Sequence, residues 1–178
     1  STAFDISSAS YTQVFSVAAQ EVFAYGMAFN NDGTKMFVVG HSGDDVNEYS
    51  LSTAFDISSA SYTQVFSVAA QEVNPNGMAF NNDGTKMFVV GQSGDDVNEY
   101  NLSTAFDIST ASFVQLFSVA GQETVPSGVQ FNNDGSKMFI IGNSSDNVFE
   151  YSLDNPASPT VCVNSVSYTH LTLPTTVD

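Results

Sequence analysis

Gly26-Met27-Ala28-Phe29-Asn30-Asn31-Asp32-Gly33-Thr34-Lys35-Met36-Phe37-Val38-Val39-Gly40 returns unchanged at residues 77–91 and, with five substitutions, at 128–142. Residues 26–29 read as a short strand. Asn30-Asn31-Asp32-Gly33 then forms a hairpin turn, because Asn, Asp and Gly adopt positive φ at little cost. Residues 35–39 form a second strand, and their unbroken apolar run is the pattern of a strand covered on both sheet faces. Working outward, residues 41–45 make another turn and 46–51 a third strand. Upstream, Tyr11-Thr12-Gln13-Val14-Phe15-Ser16-Val17 alternates with period two and is rich in β-branched and aromatic residues, which predicts a fourth strand. Nowhere do Leu, Ala, Glu and Lys gather at helical spacing. The chain is expected to be all-β.

The repeat has a period of 51: Ser1-Thr2-Ala3-Phe4-Asp5-Ile6 recurs from Ser52 and from Ser103. Units 1–51 and 52–102 differ at five positions only, 103–153 is more diverged, and a remnant at 154–165 departs from the pattern at Asp154-Asn155-Pro156. One such sheet has two apolar faces and can bury neither alone; radial stacking covers both. A four-stranded antiparallel unit repeated head to tail therefore predicts a β-propeller. Solenoid coils are shorter, and sandwiches rarely repeat one sheet almost unchanged. From the centre outward, residues 26–29 are strand A, 35–39 strand B, 46–51 strand C and 11–17 strand D.

Pro126-Ser127-Gly128-Val129-Gln130-Phe131 with Asn132-Asn133-Asp134-Gly135, the apolar run to Gly142 and then Asp146-Asn147-Val148-Phe149-Glu150-Tyr151 resembles the blades of YVTN-type and NHL-type β-propellers. The resemblance covers residues 1 to about 160, with Ala24 standing where the other units have Pro75 and Pro126. It implies a fold shared by binding modules, surface proteins and a few enzymes. Such propellers have at least four blades, so three units imply an incomplete ring, a piece of a longer product. Val166-Ser167-Tyr168-Thr169-His170-Leu171-Thr172-Leu173-Pro174-Thr175 back-translates to a string that resembles a transposase adapter of sequencing libraries. Residues 166–178 are therefore expected to be a non-native tail.

Charge excludes several function classes. Nineteen acids stand against Lys35, Lys86 and Lys137, a formal −16. Phosphate neutralisation needs clustered cations, so no nucleic-acid partner is expected, and an anionic membrane surface is excluded likewise. No apolar run approaches the ~20 residues of a membrane span. A single cysteine, Cys162 between Val161 and Val163, precludes a disulfide framework and suits a strand thiol.

Candidate chemistry is sparse. Asp44-Asp45, Asp95-Asp96 and Asp146-Asn147 offer oxygen ligands for Ca²⁺, but a calcium site needs six to eight converging oxygens. They read instead as turn-forming acids, and no cofactor is expected. Asp5, Asp56 and Asp107 are expected as turn formers, and Glu21, Glu72 and Glu123 as solvated loop acids. Met27, Met78, Met36, Met87 and Met138 are core fillers. No G-x-S-x-G elbow occurs, which disfavours a Ser-His-Asp hydrolase.

Four of the five differences between the first two units fall at Phe23/Asn74, Ala24/Pro75, Tyr25/Asn76 and His41/Gln92. These lie in the D–A and B–C loops, which open on one face of a propeller. Phe23, Tyr25, His41, Asn74, Asn76 and Gln92 are thus the candidate ligand-binding residues, the first five of them expected to be exposed and clustered. The expected function is a non-catalytic interaction or structural module of a secreted or cell-surface protein, with a protein or carbohydrate ligand. Unclosed blade edges favour self-association. The alternative is a metal-dependent lactonase-like or other hydrolytic propeller whose site lies in missing blades.

Overall fold

The computed structural model describes residues 6–153 and is almost entirely β. The strands are β1 (Ala24–Phe29), β2 (Lys35–Gly40), β3 (Asp45–Leu51), β4 (Ala60–Ser67), β5 (Pro75–Phe80), β6 (Lys86–Gly91), β7 (Asp96–Leu102), β8 (Ala111–Ser118), β9 (Pro126–Phe131), β10 (Lys137–Gly142) and β11 (Val148–Ser152). They form antiparallel meanders in the order β1-β2-β3-β4 and β5-β6-β7-β8, with a three-stranded sheet β9-β10-β11 among the described residues. The first three strands of each sheet match the expected A, B and C to within two residues at either end.

Strand D is the correction. Residues 11–17 carry the same letters as 62–68 but lie in no strand, whereas β4 pairs with β3 and β8 with β7. Each four-stranded sheet takes its outer strand from the following repeat unit. The reason is connectivity: a short link carries the chain from strand C straight into the neighbouring antiparallel position. In that link Asp56 and Asp107 cap 3-10 turns by accepting from the Ser58 and Ser109 N–H groups at 3.0 and 3.1 Å, as expected of turn formers. Asp5, Cys162 and the tail from 166 lie outside the described residues.

The sheets stack face to face, and the core lies between them. Phe37, Val39 and Val46 of the first sheet meet Met78, Met87, Val89 and Tyr100 of the second. Val90 and Val97 of the second meet Val129, Met138 and Ile140 of the third. Fully burying a side chain such as Phe37 or Met87 contributes roughly 1.5–3 kcal/mol. The inner strands approach so closely that a Cβ on Gly77 would lie 2.6 Å from the Ser127 carbonyl oxygen. Residues 11–17 lie over the free face of the first sheet, where Phe15 packs edge-on against Tyr49 at 5.5 Å. Phe66 and Phe117 repeat that contact on Tyr100 and Tyr151.

The hairpin turns behave as expected. Gly33, Gly84 and Gly135 have φ of 71°, 72° and 71°, and Asp32 Oδ1 accepts from the Thr34 N–H and hydroxyl at 3.0 and 2.6 Å. Asp44, Asp95 and Asp146 also take positive φ in their turns.

Candidate functional site

The D–A and B–C loops meet on one face, held together by a residue expected to be solvated. Glu21, Glu72 and Glu123 are buried. Glu21 Oε1 accepts from the backbone N–H groups of Phe23 at 2.7 Å and Ser42 at 3.0 Å, tying the two loops. Glu72 accepts from Ser93 and Gly94 at 2.8 and 3.3 Å. Glu123 accepts from the N–H groups of Val125 and Ser144 at 2.8 and 3.0 Å and from the Ser145 hydroxyl at 2.6 Å. The clamp needs glycine opposite it: a Cβ on Gly91 would lie 2.4 Å from Glu72 Cδ. The solvated-loop expectation fails because two loop N–H groups at Glu21 and at Glu72, and five N–H and O–H groups at Glu123, need an acceptor when the loops close over them. A glutamate at the same offset from Gly40, Gly91 and Gly142 in all three units was the sequence signal.

Desolvation raises the Glu72 carboxyl above the usual range, with the N–H groups of Ser93 and Gly94 opposing it. In Glu123 desolvation acts the same way but is outweighed by the Ser144 and Ser145 hydroxyls and the N–H groups of Val125 and Ser144, which hold it at about 2.

On this clamped frame the structure brings three of the six candidates together. The Tyr25 ring lies 4.1 Å, centroid to centroid, from the His41 imidazole at an interplanar angle of 30°. His41 Nε2 is 2.8 Å from Asn76 Oδ1, and Asn76 Nδ2 donates to the Pro126 carbonyl at 3.1 Å. This relay crosses from the first sheet through the second to the third. Asn76 is therefore buried, and His41 and Asn74 are only half-exposed, which corrects the expectation that all three are exposed. Phe23 and Tyr25 are 60% and 59% exposed. Asn74 and Gln92 form the same corner one sheet on: the Gln92 N–H donates to the Asn74 carbonyl at 3.1 Å, as His41 does to Phe23. Asn74 Nδ2 donates to Ser93 Oγ at 3.2 Å, and Gln92 is exposed.

Tyr25 and Asn76 border an open groove of about 400 Å³ that runs down the inner strands past Gly26, Met27, Ser127 and Gln130. Met27 is exposed there, unlike the other four methionines, which are buried. Asp45 and Asp96 bond Asn47 and Asn98 of their own strands, each at 2.6 Å. Among the described residues no three His, Cys, Asp or Glu side chains gather closely enough to share a metal ion.

No family model matches the chain, and no curated protein matches it in sequence. Solved structures do. A candidate 6-phosphogluconolactonase from Bacteroides uniformis superposes with a TM-score of 0.58 at 12% identity, over 75% of this chain and 38% of that one. The periplasmic gluconolactonase PpgL of Pseudomonas aeruginosa gives 0.57 at 18% identity, over 74% and 36%. The Cps50 (Swd1) β-propeller domain of Myceliophteria thermophila gives 0.53 at 11%, over 71% and 39%. The chain thus spans less than two-fifths of each of these structures, and identities this low establish the fold alone. Stacked antiparallel four-stranded sheets and these likenesses make the chain an incomplete β-propeller.

Proposed function

We infer that the chain is a non-catalytic interaction module of a secreted or cell-surface protein, binding a carbohydrate or protein through the face formed by its D–A and B–C loops. The observation that carries this reading is the exposed Tyr25 ring held against His41 at the rim of the inner-strand groove, with Phe23 exposed two residues away. Rigid aromatic area offered to solvent gives stacking surface at small entropic cost, and the Glu21 clamp fixes the loop that presents it. The test is binding to glycan and peptide arrays by the native chain and by a Phe23→Asn/Tyr25→Asn variant. That variant copies the second unit, where Asn76 bonds the next sheet, so it keeps the fold. Binding by the native chain and loss of at least tenfold in the variant is the expected result; equal binding by both, or by neither, removes this face from the case.

Likeness to lactonase structures supports a second reading, a lactonase-like hydrolytic propeller. Lactone hydrolysis by the purified chain, abolished by a chelator and restored by a divalent metal, would favour it over the binding module.

A further inference from the structure

The two end sheets of the stack expose faces that the internal sheets bury. Val46 and Val97 are 0% and 4% exposed beneath the following sheet, whereas their equivalent Val148 is 64% exposed. At the other end, Met27 is 58% exposed where Met78 and Val129 are 6% and 2%. β3 and β7 each carry a fourth strand, while β11 is the edge of its sheet among the described residues. Residues 9–17, meanwhile, match 60–68 letter for letter and already lie over the first sheet as β4 lies over the second, yet make no ladder.

We propose that the chain associates head to tail with a second copy, residues 9–17 of one copy adding as the fourth strand beside β11 of the other. The register follows from β3 and β4, where Val46 faces Phe66, Glu48 faces Gln64 and Ser50 faces Ser61. With the first member of each pair carried forward two repeats and the second back one, Val148 faces Phe15, Glu150 faces Gln13 and Ser152 faces Ser10 of the second copy. A cavity of about 1030 Å³ between the second and third sheets, lined by Lys86, Glu99, Gln115 and Phe131 among others, argues for the same occupant. At the intact junction the equivalent groups hold the link of the next sheet. Lys35 Nζ donates to the Phe106 carbonyl at 2.7 Å, Gln64 Nε2 to Asp107 Oδ1 at 2.8 Å, and Phe80 lies 5.2 Å from the Phe106 ring. A second copy offers the matching letters, Phe4-Asp5-Ile6; the chain's own continuation reads Ala157-Ser158-Pro159, without ring, carboxylate or isoleucine. The contact is heterologous strand addition, so its faces are complementary rather than identical.

Two experiments on the full chain test this. Sedimentation velocity over a range of concentrations should show the native chain associating, and an Ile141→Lys/Val148→Lys variant associating at least tenfold more weakly. The lysines reduce the net negative charge, so weaker association would report burial of that face and not general repulsion. The second experiment, in a Cys162→Ser background, mixes a Ser10→Cys chain with a Ser152→Cys chain. Because Ser50 Oγ and Ser61 Oγ lie 3.2 Å apart, mild oxidation should give a disulfide-linked pair, and a Thr12→Cys chain should not replace Ser10→Cys. A native chain that stays monomeric, or cross-links that ignore register, overturns the proposal. So does a monomer whose 148–152 amides are protected from exchange, since residues 154–178 of the same chain would then cover the edge.

Discussion

Glu72 and Glu123 occupy equivalent places in successive loops, yet their carboxyls shift in opposite directions. The letters around them explain the difference. Ser145 brings a hydroxyl to Glu123 where Glu72 meets only the backbone of Gly94, and Ser93 accepts from Asn74 while donating to the Val73 carbonyl. A carboxyl held at about 2 when folded and near 4.3 when unfolded favours the fold fully above the unfolded value, and that contribution is lost as pH falls towards 2. Glu72 works in the opposite sense, since its raised carboxyl is relieved by protonation. Ser145→Gly, which copies the second unit, should therefore raise the Glu123 titration in carboxyl NMR and move the acid unfolding midpoint to higher pH. At neutral pH it should cost about 1.5–3 kcal/mol for a hydrogen bond to a charged group. A native Glu123 titrating near 4.3 would contradict the clamp. The same residues mark a limit of the sequence reading. An acid in a loop is solvated by default, and only the closing of two loops over it, a non-local event, makes it structural.

Among the elements, local pattern located strands A, B and C because hairpin turns and apolar alternation are properties of adjacent letters. The outer strand was different. Residues 9–17 and 60–68 are identical, so no local propensity can distinguish them, yet only the second set includes a ladder strand. What separates them is the pairing partner, since 60–67 lie beside strand C of the preceding unit. This gives a prediction that depends on pairing alone. A proline scan over Gln64, Val65 and Phe66 should destabilise the chain at those positions whose N–H faces β3, because proline removes a donor that this outer strand gives to the ladder. Proline at Val14, the exposed counterpart of Val65 that lies in no strand, should leave the melting temperature of the dilute chain nearly unchanged. Equal losses at the two places, measured below the concentration of association, would show that residues 11–17 pair in the isolated chain. The binding face shows the same division: loop divergence at Phe23, Tyr25 and His41 pointed to it, but the burial of Asn76 depended on the Pro126 carbonyl of a neighbouring sheet.

At the scale of the molecule, stability is close to a sum of sheets and junctions, since each sheet touches only its neighbours. The described stack has two junctions, each with a buried core, and two end faces, one open around Val148 and the other covered by residues 11–17 except near Met27. Adding a junction should therefore contribute more than adding a sheet, and the repeat supplies a clean way to add one. Leu51-Ser52 and Leu102-Ser103 are the natural passages from strand C into the link, so joining Leu153 directly to Ser1 of a second set of units recreates the same dipeptide. In such a fusion the third sheet gains its fourth strand, and Val148 and Ile141 are covered as Val97 and Val90 are in the second sheet. The expected outcome is a higher melting temperature than that of the single set, with amides of 148–152 as slow to exchange as those of 45–51 and 96–102. Low salt should narrow the gain, because the fusion gathers twice the acidic charge into one body and the repulsion is screened only as ionic strength rises. A fusion that melts like the single set, with 148–152 still exchanging fast, would mean that these sheets do not add by junctions and that the link after Leu153 needs something the first unit lacks.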